Sequence, residues 1–273
     1  MNNSSVSVIM ATYNMPDWLD KVLCGYEQQT FKDFEVIIAD DGSGEETNAV
    51  IQKYKKRGIL DINHLWHEDQ GYRRQTILNV AIQTAKYDYV LFTDGDCIPR
   101  KDFVETHLKY REVGKFLSGG YCKLPMGLSK KINSEDIASG RCFDLEWLNS
   151  NGKVGVSQAR KLRATGWWAD FLDFITPANA SFNNCNTSAW KKDLLHVNGY
   201  DERMRYGGPD REIGERLENY GVKGKQIRHR AICLHLDHAR GYKTPESLKK
   251  NLAIRKETRQ TGRVKTEYGI NQQ

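Results

Sequence analysis

"DYVLFTDGDCIPR", residues 88–100, decides how the rest of the chain is read. Tyr89-Val90-Leu91-Phe92 is an apolar run of the length expected for a buried strand. It runs into Asp94 and Asp96 with only Gly95 between them. Two carboxylates that close repel each other unless a cation or a set of donors sits between them. Hard divalent cations take carboxylate oxygens, and an Asp-x-Asp turn can aim one or both at a metal carrying substrate phosphates. Short acidic turns are also common as plain turn chemistry, so the motif has to be weighed with its surroundings.

Upstream, "SVSVIMATYN" (5–14) reads as a buried strand over Val6–Met10, and "FEVIIADDGS" (34–43) as a second. Between them, Trp18, Leu19, Val22, Leu23 and Tyr26 share one helical face, and Pro16 suits a first turn. "EETNAVIQKYKKRG" (45–58) reads as a helix closed by Gly58. A strand is expected over 59–66, then a helix in "RRQTILNVAIQTAK" (73–86), then the opening stretch. Strands alternating with helices predict an α/β, Rossmann-like, mostly parallel sheet covered on both faces. Ligands of such sheets bind beyond the carboxyl ends of the strands. Thr12-Tyr13-Asn14, Asp40-Asp41 and Asp94-Gly95-Asp96 all fall there, so three polar clusters are expected to meet at one crevice.

The pattern changes after residue 113. "GKFLSGGYCKLP" (114–125) is expected to lead out of the first half as a strand, and 134–149 to be helical. "NGKVGVSQARKLRATGWW" (151–168) reads as a basic, glycine-containing loop bearing Trp167 and Trp168. "CLHLDHAR" (233–240) sets His235 and His238 behind an apolar stretch. Mixed carboxylate, imidazole and phosphate ligation suits Mn²⁺ better than Mg²⁺. In "GGPDREIGERLENYG" (207–221) Asp210 starts a helix with Glu212 in its first turn. Capping and dipole complementarity explain both residues; a general base on a rigid helix end explains Asp210 equally well. The division expected is 1–112 for a first, ligand-binding half, 113–240 for a second functional half of the same domain, and 241–273 as a basic helical tail.

The chain has 273 residues and a formal charge of +6, which favours phosphate-bearing partners or leaves a solvated basic face. No apolar run approaches the ~20 residues that cross a bilayer. The start lacks the basic region and apolar core of a signal peptide, and the six cysteines form no C-x-x-C pair. A cytoplasmic protein with reduced thiols is expected, its basic tail against an anionic membrane surface.

"VSVIMATYN", "VIIADDGS", "TDGD" and "GGPDREIGERL", in this order, resemble the family 2 glycosyltransferases of the GT-A fold. "GYRRQTILNVAIQTAKYDYVLFTDGDCIP" with "VNGYDERMRYGGPDRE" and "HLDHAR" is similar to the β-1,4-galactosyltransferase-like branch and related bacterial polysaccharide transferases. The resemblance spans residues 6 to about 240. It implies a metal-dependent inverting transfer of galactose, N-acetylgalactosamine, glucose or a similar sugar from a UDP-sugar to a saccharide or lipid-linked acceptor. Tyr13 and Asp41 would hold uracil, with Thr12, Asn14 and Asp40 nearby. Arg74 would contact diphosphate or sugar, and Asp94 with Gly95 would face ribose and donor sugar. Asp96, His238 and His235 would take Mn²⁺ or Mg²⁺. Asp210 would be the base, and Tyr206, Gly208, Glu212 and Trp168 would meet the acceptor. The loop around Trp167 and Trp168 would close over both substrates and exclude water. Pro209 departs from the family, which usually has an acidic residue there; Glu212 is the expected substitute.

Other classes fit less. A sugar-nucleotide nucleotidyltransferase would want a glycine-rich basic phosphate loop where "MATYNMPDW" (10–18) stands, and a dinucleotide oxidoreductase would want G-x-G-x-x-G. A nucleic-acid binder would use the basic loop and tail, but leaves the acidic strand ends unexplained, so no nucleic acid is expected.

Overall fold

A computed structural model describes residues 5–152, 155–239 and 243–271. The first half runs β1 (Val6–Thr12), α1 (Pro16–Glu27), β2 (Phe34–Asp40), α2 (Glu45–Arg57), β3 (Asp61–Trp66), α3 (Arg74–Thr84) and β4 (Tyr89–Asp94). The second half runs β5 (Cys97–Pro99), α4 (Phe103–Tyr110), β6 (Lys115–Lys123), α5 (Met126–Lys131), α6 (Ser134–Ala138), α7 (Leu145–Asn151), α8 (Val156–Arg163) and α9 (Gly166–Ile175). It closes with β7 (Thr187–Trp190), α10 (Lys191–His196), α11 (Pro209–Tyr220), β8 (Lys223–His235) and α12 (Pro245–Thr261).

All eight strands join one sheet in the order β3-β2-β1-β4-β7-β6-β8-β5. β3, β2, β1 and β4 are parallel, β7 runs against β4 and β6, β6 and β8 are parallel, and the short β5 runs against β8. β1 shows why its sequence is apolar throughout. Val6, Val8 and Met10 enter the core under α1 and α2, while Ile9 and Ala11 enter the core under α3, α10 and α11. The period of two therefore buries both faces. Ser7, the polar exception, is fully buried and donates to Glu35 Oε1 at 2.6 Å. After β1 the chain turns to β2 on one side and later returns to β4 on the other, which opens a crevice at the carboxyl ends of β1 and β4.

Helix α1 has Pro16 in its first turn and buries Leu19, Val22, Leu23 and Tyr26, and Gly58 ends α2 at φ 66°. The third strand starts at Asp61 rather than 59, with Ile59 left exposed. Two expectations fail. The helix expected over 134–149 is broken: Asn133 caps α6 through a capping box, Gly140 turns left-handed at φ 77°, and Asp144 caps α7 anew. Local side-chain bonds to backbone N–H groups outweigh the apolar periodicity there. The basic loop with its two tryptophans is instead helical, because α8 carries the basic residues and α9 carries Trp167 and Trp168; Lys153 and Val154 lie outside the described residues. The C-terminal segment is helical as expected. α12 packs along α11, and Arg255 pairs with Glu215 at 2.6 Å.

Candidate active site

The site begins with the turn after β4. Gly95 N–H donates to Ala11 O at 2.8 Å, and a Cβ at Gly95 would stand 3.0 Å from Thr12 Oγ1. Glycine therefore lets the acidic turn lie against the end of β1. The chain then folds back as β5, whose Cys97 is registered opposite His235 of β8. Leu236 N–H donates to Asp96 O at 2.9 Å. This pairing carries Asp96 to the two histidines: His238 Nε2 lies 3.0 Å and His235 Nε2 3.8 Å from Asp96 Oδ2. Ligand atoms of the three lie within 4.8 Å of one another.

The donor set fits a divalent cation. Each imidazole faces a backbone carbonyl through Nδ1, His235 that of Leu236 at 2.9 Å and His238 that of Ala239 at 2.8 Å. A carbonyl only accepts, so both Nδ1 atoms carry the proton and Nε2 turns toward Asp96. A lone pair facing a carboxylate needs a shared proton or a cation between them. Burial would raise Asp96, yet when a proton rather than a cation sits at Nε2, the His238 hydrogen bond and the two imidazole charges hold it below the usual carboxylate range.

A crevice of about 770 Å³ opens over this cluster. Thr12, Tyr13, Asp41, Arg74, Asp94, Gly95, Asp96, Tyr206, Gly208, Asp210, His235 and His238 all line it. Tyr13 donates to Asp69 Oδ2 at 2.9 Å. Asp41 is held by His67 Nε2 at 2.9 Å and by the Arg73 N–H at 3.2 Å. Arg74, at the start of α3, forms an ion pair with Asp94. Asp210 stands at the start of α11 behind Gly208, whose φ of 100° is open to glycine and hardly to other residues. Its Oδ1 accepts the Arg211 N–H at 2.9 Å. Burial pushes the Asp210 carboxyl up, against the pull of that N–H and of Arg74.

Four residues named from the sequence lie elsewhere. Asn14 (φ 46°) accepts from Gly44 N–H at 2.9 Å through Oδ1 and so ties the β1 loop to α2. Asp40 accepts from Ser43 N–H at 2.8 Å and meets His64 Nε2 at 3.0 Å. Trp168 is on α9, stacked on Phe171, outside the crevice lining. The acceptor contact expected of Glu212 is contradicted. Two residues along a helix lie about 200° apart, so Glu212 faces the core when Asp210 faces the crevice. It is fully buried, accepts from Arg216 Nε at 2.9 Å and from Thr258 Oγ1 at 2.9 Å, and is unavailable to a ligand.

Several lining residues had no sequence signal. Tyr121, Asn184 and Cys185 reach the crevice because β6 and the segment before β7 lie beside β8. Among the described residues, Thr12 Oγ1 and Asn184 Nδ2 are buried without a protein partner. Both belong to residues lining the crevice, where a ligand would satisfy them. Asn251 of α12 was also missed; it touches no ligand surface but donates to the carbonyls of Arg205, Tyr206 and Gly207 at 2.8, 3.0 and 3.1 Å.

Residues 7–120 match the model described as glycosyl transferase family 2, and residues 168–239 that of the N-terminal domain of galactosyltransferase. The chain is 29% identical over 238 residues to a chondroitin synthase of Pasteurella multocida, covering 79% of this chain and 23% of that protein. It is 25% identical over 231 residues to a chondroitin synthase of Escherichia coli, covering 81% of this chain and 33% of that protein. The chain thus spans a third or less of these relatives. Among solved structures it resembles S. aureus TarS 1–349 in complex with UDP-GlcNAc, at a TM-score of 0.63 and 16% identity over 92% of this chain and 65% of that one. It also resembles the mannosyltransferase PcManGT of Pyrobaculum calidifontis in complex with GDP-Man and Mn²⁺, at a TM-score of 0.57 and 16% identity over 94% of this chain and 72% of that one. The fold is thus of the GT-A type, with residues 7–120 similar to glycosyl transferase family 2 and residues 168–239 similar to the galactosyltransferase domain, both within one sheet.

Proposed function

We propose that the protein is a metal-dependent inverting glycosyltransferase that moves a hexose or N-acetylhexosamine from a UDP-sugar to a saccharide acceptor in surface polysaccharide or glycolipid synthesis. One observation carries this reading. The Asp96–His235–His238 cluster, the Arg74–Asp94 pair and Asp210 all open into the same crevice. Leaving group, donor sugar and acceptor hydroxyl are thereby given neighbouring stations.

Tyr13 and Asp41 form one end, an aromatic ring beside a carboxylate that can accept from a pyrimidine ring N–H. Arg74 supplies fixed positive charge where a diphosphate would gain charge on departure, the form of stabilisation that preorganised sites provide most effectively. A divalent ion, Mn²⁺ before Mg²⁺, held by Asp96, His235 and His238 would supply Lewis acidity toward the same oxygens. Asp210 accepts the proton of an acceptor hydroxyl as its oxygen bonds to the anomeric carbon and the bond to UDP breaks on the opposite face. Tyr206 and Gly208 border that station. Because Glu212 is committed to the core, the acceptor is held without an acidic residue beside the base. UDP release from a panel of UDP-sugars, with and without Mn²⁺, tests the proposal; release that ignores both metal and Asp210→Asn would overturn it.

A further inference from the structure

Helix α9 presents an apolar face that no described element covers. Trp167 is 76% exposed and Phe174 88%, with Trp168, Phe171 and Ile175 also exposed on the same short helix. Only Ala169, Leu172 and Asp173 face inward. So contiguous an array of large exposed side chains marks an interaction surface rather than scattered surface apolarity. Asp170 interrupts it, but its charge is neutralised by Arg230.

The charge beside this face identifies its partner. Helix α8, which precedes α9 along the chain, ends in exposed Arg160 and Arg163, and Val156 at its start is 89% exposed. Aromatic side chains next to a cluster of cations match the boundary of an anionic bilayer, where rings settle at headgroup level and cations meet lipid phosphates. A twofold contact with a second copy would bring the cations of both helices to one interface. A soluble saccharide would not require five exposed apolar side chains outside the crevice.

We propose that α8 and α9 form a peripheral docking face for anionic membrane, in place of the basic C-terminal segment, whose helix is engaged with α11. The position relative to the crevice fits this role. Lys161 donates to Tyr121 O at 2.9 Å, and Tyr121 lines the crevice, so docking brings that wall of the crevice close to the bilayer. The inference extends to the partner surface and does not depend on the transfer reaction, because docking is read without donor or metal.

The test is co-sedimentation with phosphatidylcholine vesicles, with and without phosphatidylglycerol. The protein is expected to bind only the anionic vesicles and to be released by high salt. Trp167→Ser with Phe174→Ser should weaken binding at least about tenfold, and Arg160→Glu with Arg163→Glu should remove the salt-sensitive part. Melting temperature and far-ultraviolet circular dichroism, unchanged in both variants, establish that the fold persists. Equal binding to neutral vesicles, wild-type binding by the aromatic variant, or a wild-type dimer that this variant converts to monomer would each overturn the proposal.

Discussion

Asn251 donates from Nδ2 to the carbonyl of Tyr206 at 3.0 Å, and the same amide serves Arg205 and Gly207 on either side. One side chain of α12 thereby holds the backbone that leads to Asp210. Gly207 and Gly208 sit at φ 108° and 100°, so this stretch has no rigidity of its own. Asn251→Ala is expected to leave UDP binding intact and slow single-turnover transfer by about 10–100-fold, since small misplacements of a reacting group are costly. Calorimetry and rapid-quench kinetics on one preparation separate the two effects.

Asp96→Ala and His238→Ala should each abolish Mn²⁺-dependent UDP binding, although the two residues stand on different strands' ends. His235 lies farther from Asp96 than His238 does, 3.8 against 3.0 Å. Loss of metal in His235→Ala would establish a site with two imidazoles. Unchanged nucleotide affinity by calorimetry in both of the first two variants would rule out the shared site.

UDP should bind in the presence of Mn²⁺ far better than CDP or GDP, because Asp41 can accept from the ring N–H that uracil has and cytosine lacks. A hydrogen bond to a charged acceptor contributes about 1.5–3 kcal/mol, which Asp41→Ala should remove. Equal affinity for CDP would contradict the role of Asp41. Thymidine diphosphate, which keeps the ring N–H, is the informative competitor.

Asp210→Asn preserves size and capping ability but removes the base, so transfer should slow by ~10²–10⁴-fold with UDP binding retained. Burial raises the folded pKa of Asp210 above its unfolded value. The base works only when ionised, so transfer should fall as pH drops through that raised value, above the ordinary carboxylate range. The same shift means that the native state holds the proton more tightly than the unfolded state does. Ionising Asp210 therefore opposes folding, and stability declines as pH rises from the unfolded pKa through the folded one. The Asn variant should accordingly melt no lower than wild type at neutral pH. A wild-type transfer rate in this variant would reduce Asp210 to a helix cap.

Glu212→Gln should act on stability rather than on acceptor binding. It leaves the Arg216 guanidinium buried without its countercharge, a loss of about 3–5 kcal/mol for such pairs. Urea unfolding should show the loss, while acceptor KM in the folded fraction stays near wild type. A changed KM with unchanged stability would restore Glu212 to the acceptor site.

The sequence by itself determined the first half. An apolar run buried on both faces can only be a central strand, so Val6–Met10, Phe34–Ala39 and Tyr89–Phe92 announced a parallel sheet. Polar residues at the ends of such strands had to meet at one edge. The base candidate was legible for the same local reason, a proline and an aspartate opening a helix after two glycines. What the sequence left undecided was every relation made between elements distant along the chain. The register of Cys97 opposite His235 brings the candidate metal ligands together, and strand pairing has no signature in either segment alone. Glu212 and Asp210 are chemically alike and two residues apart; which one faces the crevice was settled by Arg216 and Thr258 on the opposite side of α11. Charge in the C-terminal segment indicated a basic surface tail, whereas the packing of α12 on α11 lets Asn251 hold the stretch that leads to Asp210. Burial and hydrogen bonding act through space, and only the folded chain assigns them.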